Sequence, residues 1–145
     1  MACPFFYAIE PASRHPLRPV PLGDWYGGEC RARSGEFRPT DPALLTLCNL
    51  GYARGECPRF PEGAAADAVR FALAADGPIL SIRFAVERQH QPREHGVLEY
   101  SVAARRLAAP HRDPVLTRLA EAYAEAYLRR KDRCAQESHG RKTGT

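Results

Sequence analysis

With 145 residues, 44% of them hydrophobic and 26% charged, the chain has the size and composition of one globular domain that can bury a core without covalent staples. Its formal net charge of +4 comes from 19 arginines against two lysines. That balance permits contact with phosphate or an acidic protein but falls short of the strongly basic domains that signal nucleic acid on charge alone. The N-terminus lacks a basic start with an apolar core, and no apolar run approaches the ~20 residues of a membrane span, so a cytoplasmic, non-membrane protein is the expectation.

Residues 1–40 carry prolines at 4, 11, 16, 19, 21 and 39 and glycines at 23, 27, 28 and 35, a density that interrupts both helical and strand periods. Ordered loops are expected there, with Phe5, Phe6, Tyr7, Trp25 and Tyr26 available to roof a site or cover the core. From Asp41-Pro42 a short helix is predicted, Asp41 acting as N-cap and Gly51 as stop, which puts Cys48 in its last turn and Cys57 in the following loop.

Residues 64–104 read as a three-stranded antiparallel meander. Val69, Phe71 and Leu73 alternate in the first strand; Leu80, Ile82, Phe84 and Val86 alternate in the second, Ile79–Glu87; Leu98, Tyr100 and Val102 alternate in the third. Arg88–His95 is the polar tip between the last two. Asp113-Pro114 then opens an amphipathic helix with an apolar stripe at Leu116, Leu119, Ala120, Tyr123 and Tyr127, its Arg118, Glu121, Glu125 and Arg129 facing water. Beyond about residue 133 the pattern lapses, and 134–145 is expected to be a flexible tail.

The chemistry is concentrated in the cysteines. Four of the five fall in the first 57 residues, at Cys3, Cys30, Cys48 and Cys57, and the next 76 residues contain none. In a reducing compartment thiols stay free or bind metal, and an odd count weakens a disulfide framework. Four thiolates suit zinc or an iron–sulfur cluster, and the spacing separates the two. Structural zinc sites are built from knuckles with two to four residues between paired ligands, whereas the intervals here are 26, 17 and 8. Ligands on separate loops suit the larger iron–sulfur object.

Prolines directly after Cys3 and Cys57 fix the backbone at two ligands, Gly51 and Gly55 permit close backbone approach, and Arg31, Arg33, Arg54 and Arg59 flank the ligands as compensating charge. Cys134, in the expected tail, is set aside. His90 and His95 resemble ligands or a proton-transfer pair with Glu87 or Glu94, against the simpler reading of a solvated hairpin tip. His15 is a spare ligand that four cysteines do not require.

No phosphate loop, dinucleotide glycine pattern, paired-histidine zinc helix or nucleophile elbow is present, and no closely spaced cysteine pair supports a thiol oxidoreductase. The expectation is an α+β protein in which a loop-rich, cysteine-ligated region (1–63) packs with a three-stranded meander covered by a C-terminal helix (64–133). Cys3, Cys30, Cys48 and Cys57 would bind a [4Fe–4S] cluster in a redox, electron-transfer or regulatory role, with an acidic redox protein as partner. The alternatives are a zinc-stabilised interaction module, or a nucleic-acid binder whose metal is structural.

Overall fold

The computed structural model describes residues 1–12 and 20–142, so His15 lies outside the described residues. Strands β1 (Phe6–Pro11) and β2 (Tyr26–Cys30) form an antiparallel pair. A single α-helical turn, α1 (Asp41–Ala43), runs into a π-helical turn, Leu44–Cys48. A second antiparallel sheet holds β3 (Ala68–Ala75), β4 (Ile79–Arg88), β5 (Gln91–Ser101) and β6 (Arg106–Leu107) in that order. The last element is the helix α2 (Pro114–Lys142).

The α+β class is as expected, but the N-terminal region is not all loop and the meander has a fourth strand. Phe6 and Ala8 do alternate inward on β1, and Gly27-Gly28 lets β2 lie close: a Cβ on Gly28 would collide with the Tyr7 carbonyl. The sheet gains β6 because Arg105 takes a left-handed conformation, φ 56°, and turns Leu107 back to pair with Tyr100. The β4–β5 tip is also shorter than predicted. Gln89 and His90, at φ 51° and 63°, make the whole turn as the paired positive values of a two-residue hairpin, and Arg88 already pairs with Gln91.

Helix α2 packs against both sheets. Its start is as read from the sequence, with the Asp113 carboxylate accepting the Val115 N–H at 2.9 Å. Leu116, Leu119 and Ala120 are buried with Leu80, Ile82, Phe84, Leu98 and Tyr100 of the large sheet, and Tyr123 stacks on Phe71 at 5.6 Å. Burial of one such leucine contributes roughly 1.5–3 kcal/mol. Ala122 and Ala124 are both fully buried although a two-residue step carries them about 200° around a helix, so opposite sides of α2 are covered.

That second covering corrects the predicted solvent face. Arg118 donates to the carbonyls of Ala8 (2.6 Å) and Ile9 (3.3 Å) and pairs with Glu125, while Arg129 pairs with Asp24 at 3.0 Å and donates to the Tyr26 hydroxyl at 2.5 Å. Tyr26 in turn donates to the Ala122 carbonyl at 2.7 Å. The β1–β2 pair therefore sits on the face read as exposed. Past residue 133 the helix continues to Lys142 where a tail was expected, and residues 131–140 are all exposed. Among the described residues no helix is long and apolar enough to cross a membrane.

Candidate metal centre

Each of the four N-terminal cysteines is seated by backbone hydrogen bonds. Ala2 exchanges both main-chain bonds with Val69 of β3, at 2.9 and 2.8 Å, which fixes the residue before Cys3. Cys3 then donates its N–H to the Cys48 carbonyl at 3.0 Å and accepts from Phe6 at 3.1 Å. Cys30 ends β2 opposite Phe6 and donates to the Phe37 carbonyl at 2.8 Å. Cys57 sits in a turn, donating to Ala53 at 2.8 Å and accepting from Phe60 at 3.1 Å, with Gly55 supplying the left-handed φ of 85° that the turn requires.

Cys48 closes the π-helical turn. Its cap differs from the prediction by one residue: Thr40 is the N-cap, Asp41 the first helical residue. Thr46 bonds its hydroxyl to the Pro42 carbonyl at 2.7 Å, and Asn49 reaches back five residues to the Leu44 carbonyl with both its N–H (3.2 Å) and its side-chain amide (2.9 Å). The Asn49 carboxamide also accepts from the Tyr26 N–H at 3.1 Å and donates to the Tyr26 carbonyl at 3.0 Å, copying a strand partner for β2. Asn49 is fully buried and thus ties the Cys48 segment to the Cys30 strand, a role absent from the sequence reading.

Two further polar clamps fix the loop from Asn49 to Ala68. Buried Asp67 accepts from Arg54 Nε at 2.8 Å and from the Gln89 N–H at 2.6 Å, and Arg54 also donates to the Ala64 carbonyl at 2.8 Å. Buried Glu87 bonds the Tyr52 hydroxyl and pairs with Arg70 at 3.2 Å. Gly51, at φ 73°, passes so near the N-terminal segment that a Cβ would lie 3.0 Å from the carbonyls of Met1 and Ala2.

These constraints bring Cys3, Cys30, Cys48 and Cys57 to the lining of one pocket, walled by Phe5, Phe6, Leu47 and Phe60, with Arg59 the charged residue in its lining. Phe5 meets Phe60 edge-on at 5.6 Å. Burial pushes the Cys3 thiol up to about 12, nearby Cys30 and Cys57 adding to the rise and backbone hydrogen bonds from Phe5 and Phe6 opposing it. Burial likewise raises Cys48 to about 12, and the charges of Cys3, Cys30 and Cys57 add to it. Burial and neighbouring thiols both disfavour the charged form of Cys3 and Cys48, and a cation is what would relieve both.

Of the aromatics offered as a roof, Phe5 and Phe6 line the pocket, Tyr7 carries Arg31 over its ring at 3.6 Å, and Trp25 and Tyr26 are buried in the β1–β2 region instead. Of the arginines, Arg33 donates to the Pro58 carbonyl at 3.0 Å and Arg54 is held by Asp67, whereas Arg59 stacks on Phe37 at 3.8 Å. Its Nε is buried and without a hydrogen-bond partner, a condition that costs about 1–3 kcal/mol.

The histidines are dispersed. His90 stacks on Tyr52 at 4.3 Å in the turn, and His95 is exposed on β5 opposite Ala85. Glu94 bonds His111 and Arg112, and His111, unremarked in the sequence, accepts the Asp113 N–H at Nδ1 and so presents a proton from Nε2 to Glu94 at 3.2 Å. Cys134 is exposed on α2.

No known family, curated protein or solved structure matches the chain. The donor set must therefore be judged on its own chemistry. Among the described residues, no three histidine, cysteine, aspartate or glutamate side chains are gathered tightly enough for a single metal ion. Four thiols around a common apolar pocket present the soft donor set that zinc and iron–sulfur groups both take.

Proposed function

We propose that Cys3, Cys30, Cys48 and Cys57 hold a [4Fe–4S] cluster in a small redox or regulatory protein. The observation that carries this reading is the convergence of four thiols, from four separate stretches of backbone, on one pocket walled by aromatic and aliphatic side chains. Their spacing along the chain, with 26, 17 and 8 residues between successive cysteines, favours a cluster over zinc, whose structural sites place two to four residues between paired ligands.

Bound there, a cluster with four thiolate ligands would supply one-electron transfer or redox sensing. The chain's own contribution is to seat the thiols by main-chain hydrogen bonds, to exclude water with Phe5, Phe6, Leu47 and Phe60, and to place positive charge beside them. Segment 31–38, whose Cys30-to-Phe37 bond anchors it next to the site, carries Arg31, Arg33 and Arg38 at the surface with Phe37 partly exposed. An acidic redox protein is the partner that this edge fits, through the planar donor forks of arginine.

Anaerobic purification followed by metal and sulfide analysis tests the proposal. The expected protein is brown, with about four iron and four sulfide per chain, and loses the colour when any one of the four cysteines is replaced by alanine. Colourless protein carrying one zinc, or iron content indifferent to those substitutions, would reject it.

A further inference from the structure

We infer that Arg59 donates a hydrogen bond from its Nε–H to a sulfur of the cluster or of its thiolate ligands, and that this contact raises the cluster's reduction potential; the inference rests on the cluster reading above. Arg59 lines the same pocket as the four thiols, two residues beyond Cys57 and directly after Pro58, whose ring fixes the intervening backbone. Its guanidinium lies 3.8 Å over the Phe37 ring, and Phe37 is bound by its carbonyl to the Cys30 N–H. The plane of the guanidinium is therefore set by a residue hydrogen-bonded to one ligand, and the arginine's own place in the chain by another.

Arg59 differs from the arginines around it in what its donors meet. Arg33 reaches a carbonyl, Arg54 a carboxylate and a carbonyl, and Arg31 an aromatic face and Glu29, while the Arg59 Nε is buried with no acceptor. The pocket it lines presents carbon and sulfur from its side chains. A buried N–H in those surroundings has sulfur as its natural acceptor, and thiolate or sulfide accepts far better than a neutral thiol. Hydrogen bonds and positive charge at the sulfurs favour the more negative, reduced state, which raises the potential.

The test begins with iron and sulfide content of the anaerobically loaded wild type, Arg59→Lys and Arg59→Ala, followed by potentiometric titration of each loaded protein. Arg59→Ala is expected to load and to show a lower midpoint potential, and Arg59→Lys, which keeps a cation but loses the planar Nε–H, to fall between it and wild type. An unchanged potential in loaded Arg59→Ala overturns the inference. Wild-type protein bearing ¹⁵N at arginine Nε gives a readout free of any folding defect: pulsed electron paramagnetic resonance of its reduced cluster is expected to show coupling to that nitrogen. A loaded wild type without such coupling overturns the role of Arg59 alone, whereas a wild type that takes up no iron and sulfide overturns the cluster reading itself.

Discussion

Asn49 carries more of the site than its chemistry suggests in isolation. One carboxamide satisfies the N–H and carbonyl of Tyr26, away from water, and bonds the part-buried carbonyl of Leu44. Asn49→Ala would strand the two Tyr26 groups and is expected to cost about 2–4 kcal/mol in denaturant unfolding and to lower iron retention, since Cys48 and Cys30 flank the clamp. Asp67 sets a pH dependence. Burial alone would raise its carboxyl, but the Gln89 N–H and the Arg54 guanidinium outweigh that and hold it below the usual carboxylate range.

A depressed native value means that its contribution is present above ~pH 3.9 and is lost as pH falls through the native value. Urea unfolding across that range should therefore show a steeper loss of stability in wild type than in Asp67→Asn. At neutral pH the variant should be less stable by about 1–3 kcal/mol, because it leaves Arg54 without its counter-charge. The four cysteines that line the pocket are legible in the sequence because thiol chemistry is specific wherever it stands. Asn49 is not, because a carboxamide acquires its role only from the strand beside which the fold places it, and Arg59 is legible only as one of four flanking charges, its buried Nε showing only in the fold.

At the scale of elements, legibility followed how each surface is covered. Strand β4 was readable because one face is apolar and one polar, and Leu80, Ile82 and Phe84 are buried as the alternation requires. The first half of β5, Gln91–His95, was not: its side chains are polar on both faces, its pairing shifts register between Val86 and Glu87, and Pro92 resembles a break. Strand β2 was hidden by Gly27-Gly28, whose value lies in the space they leave for β1.

Helix α2 was placed correctly at its start and misjudged on its polar side, since Arg118 and Arg129 look solvent-facing until the Ala8 and Ile9 carbonyls of β1 accept from the first and the Asp24 carboxylate and Tyr26 hydroxyl from the second. Its last turns contribute differently. Lys131 pairs with Asp76 at 2.9 Å, but beyond it the helix is exposed. Removing residues from 134 onward is expected to change the unfolding free energy by less than ~1 kcal/mol and to leave iron and sulfide content unchanged. Thermal unfolding and metal analysis of the shortened chain check both.

Across the whole molecule, the two sheets depend on the site to different degrees. The large sheet and α2 share an apolar core, while the segment from Asn49 to Ala68 is held by isolated polar clamps and bears Cys57. Loading the site should therefore slow amide hydrogen exchange chiefly at Cys3, Cys30, Cys48, Cys57 and their immediate neighbours, with β4 and the buried part of α2 little altered. Equal protection throughout would show instead that the cofactor governs the entire fold. The α+β class was legible because it rests on periodicity. The placement of the β1–β2 pair against α2 was not, because it depends on contacts such as Arg118 to Ala8, 110 residues apart.

Those contacts also impose a timetable on vectorial synthesis. All four cysteines leave the ribosome well before α2, yet β1 and β2 find their seat on it only when Arg118 reaches Ala8 and Ile9 and Tyr26 reaches Ala122. Until then the nascent chain carries four thiols beside strands not yet seated on α2, a state open to oxidation and to capture of the wrong metal. Loading of the proposed cluster is therefore best matched to a chain in which α2 has already docked, and a helix made after the site acts as its gatekeeper.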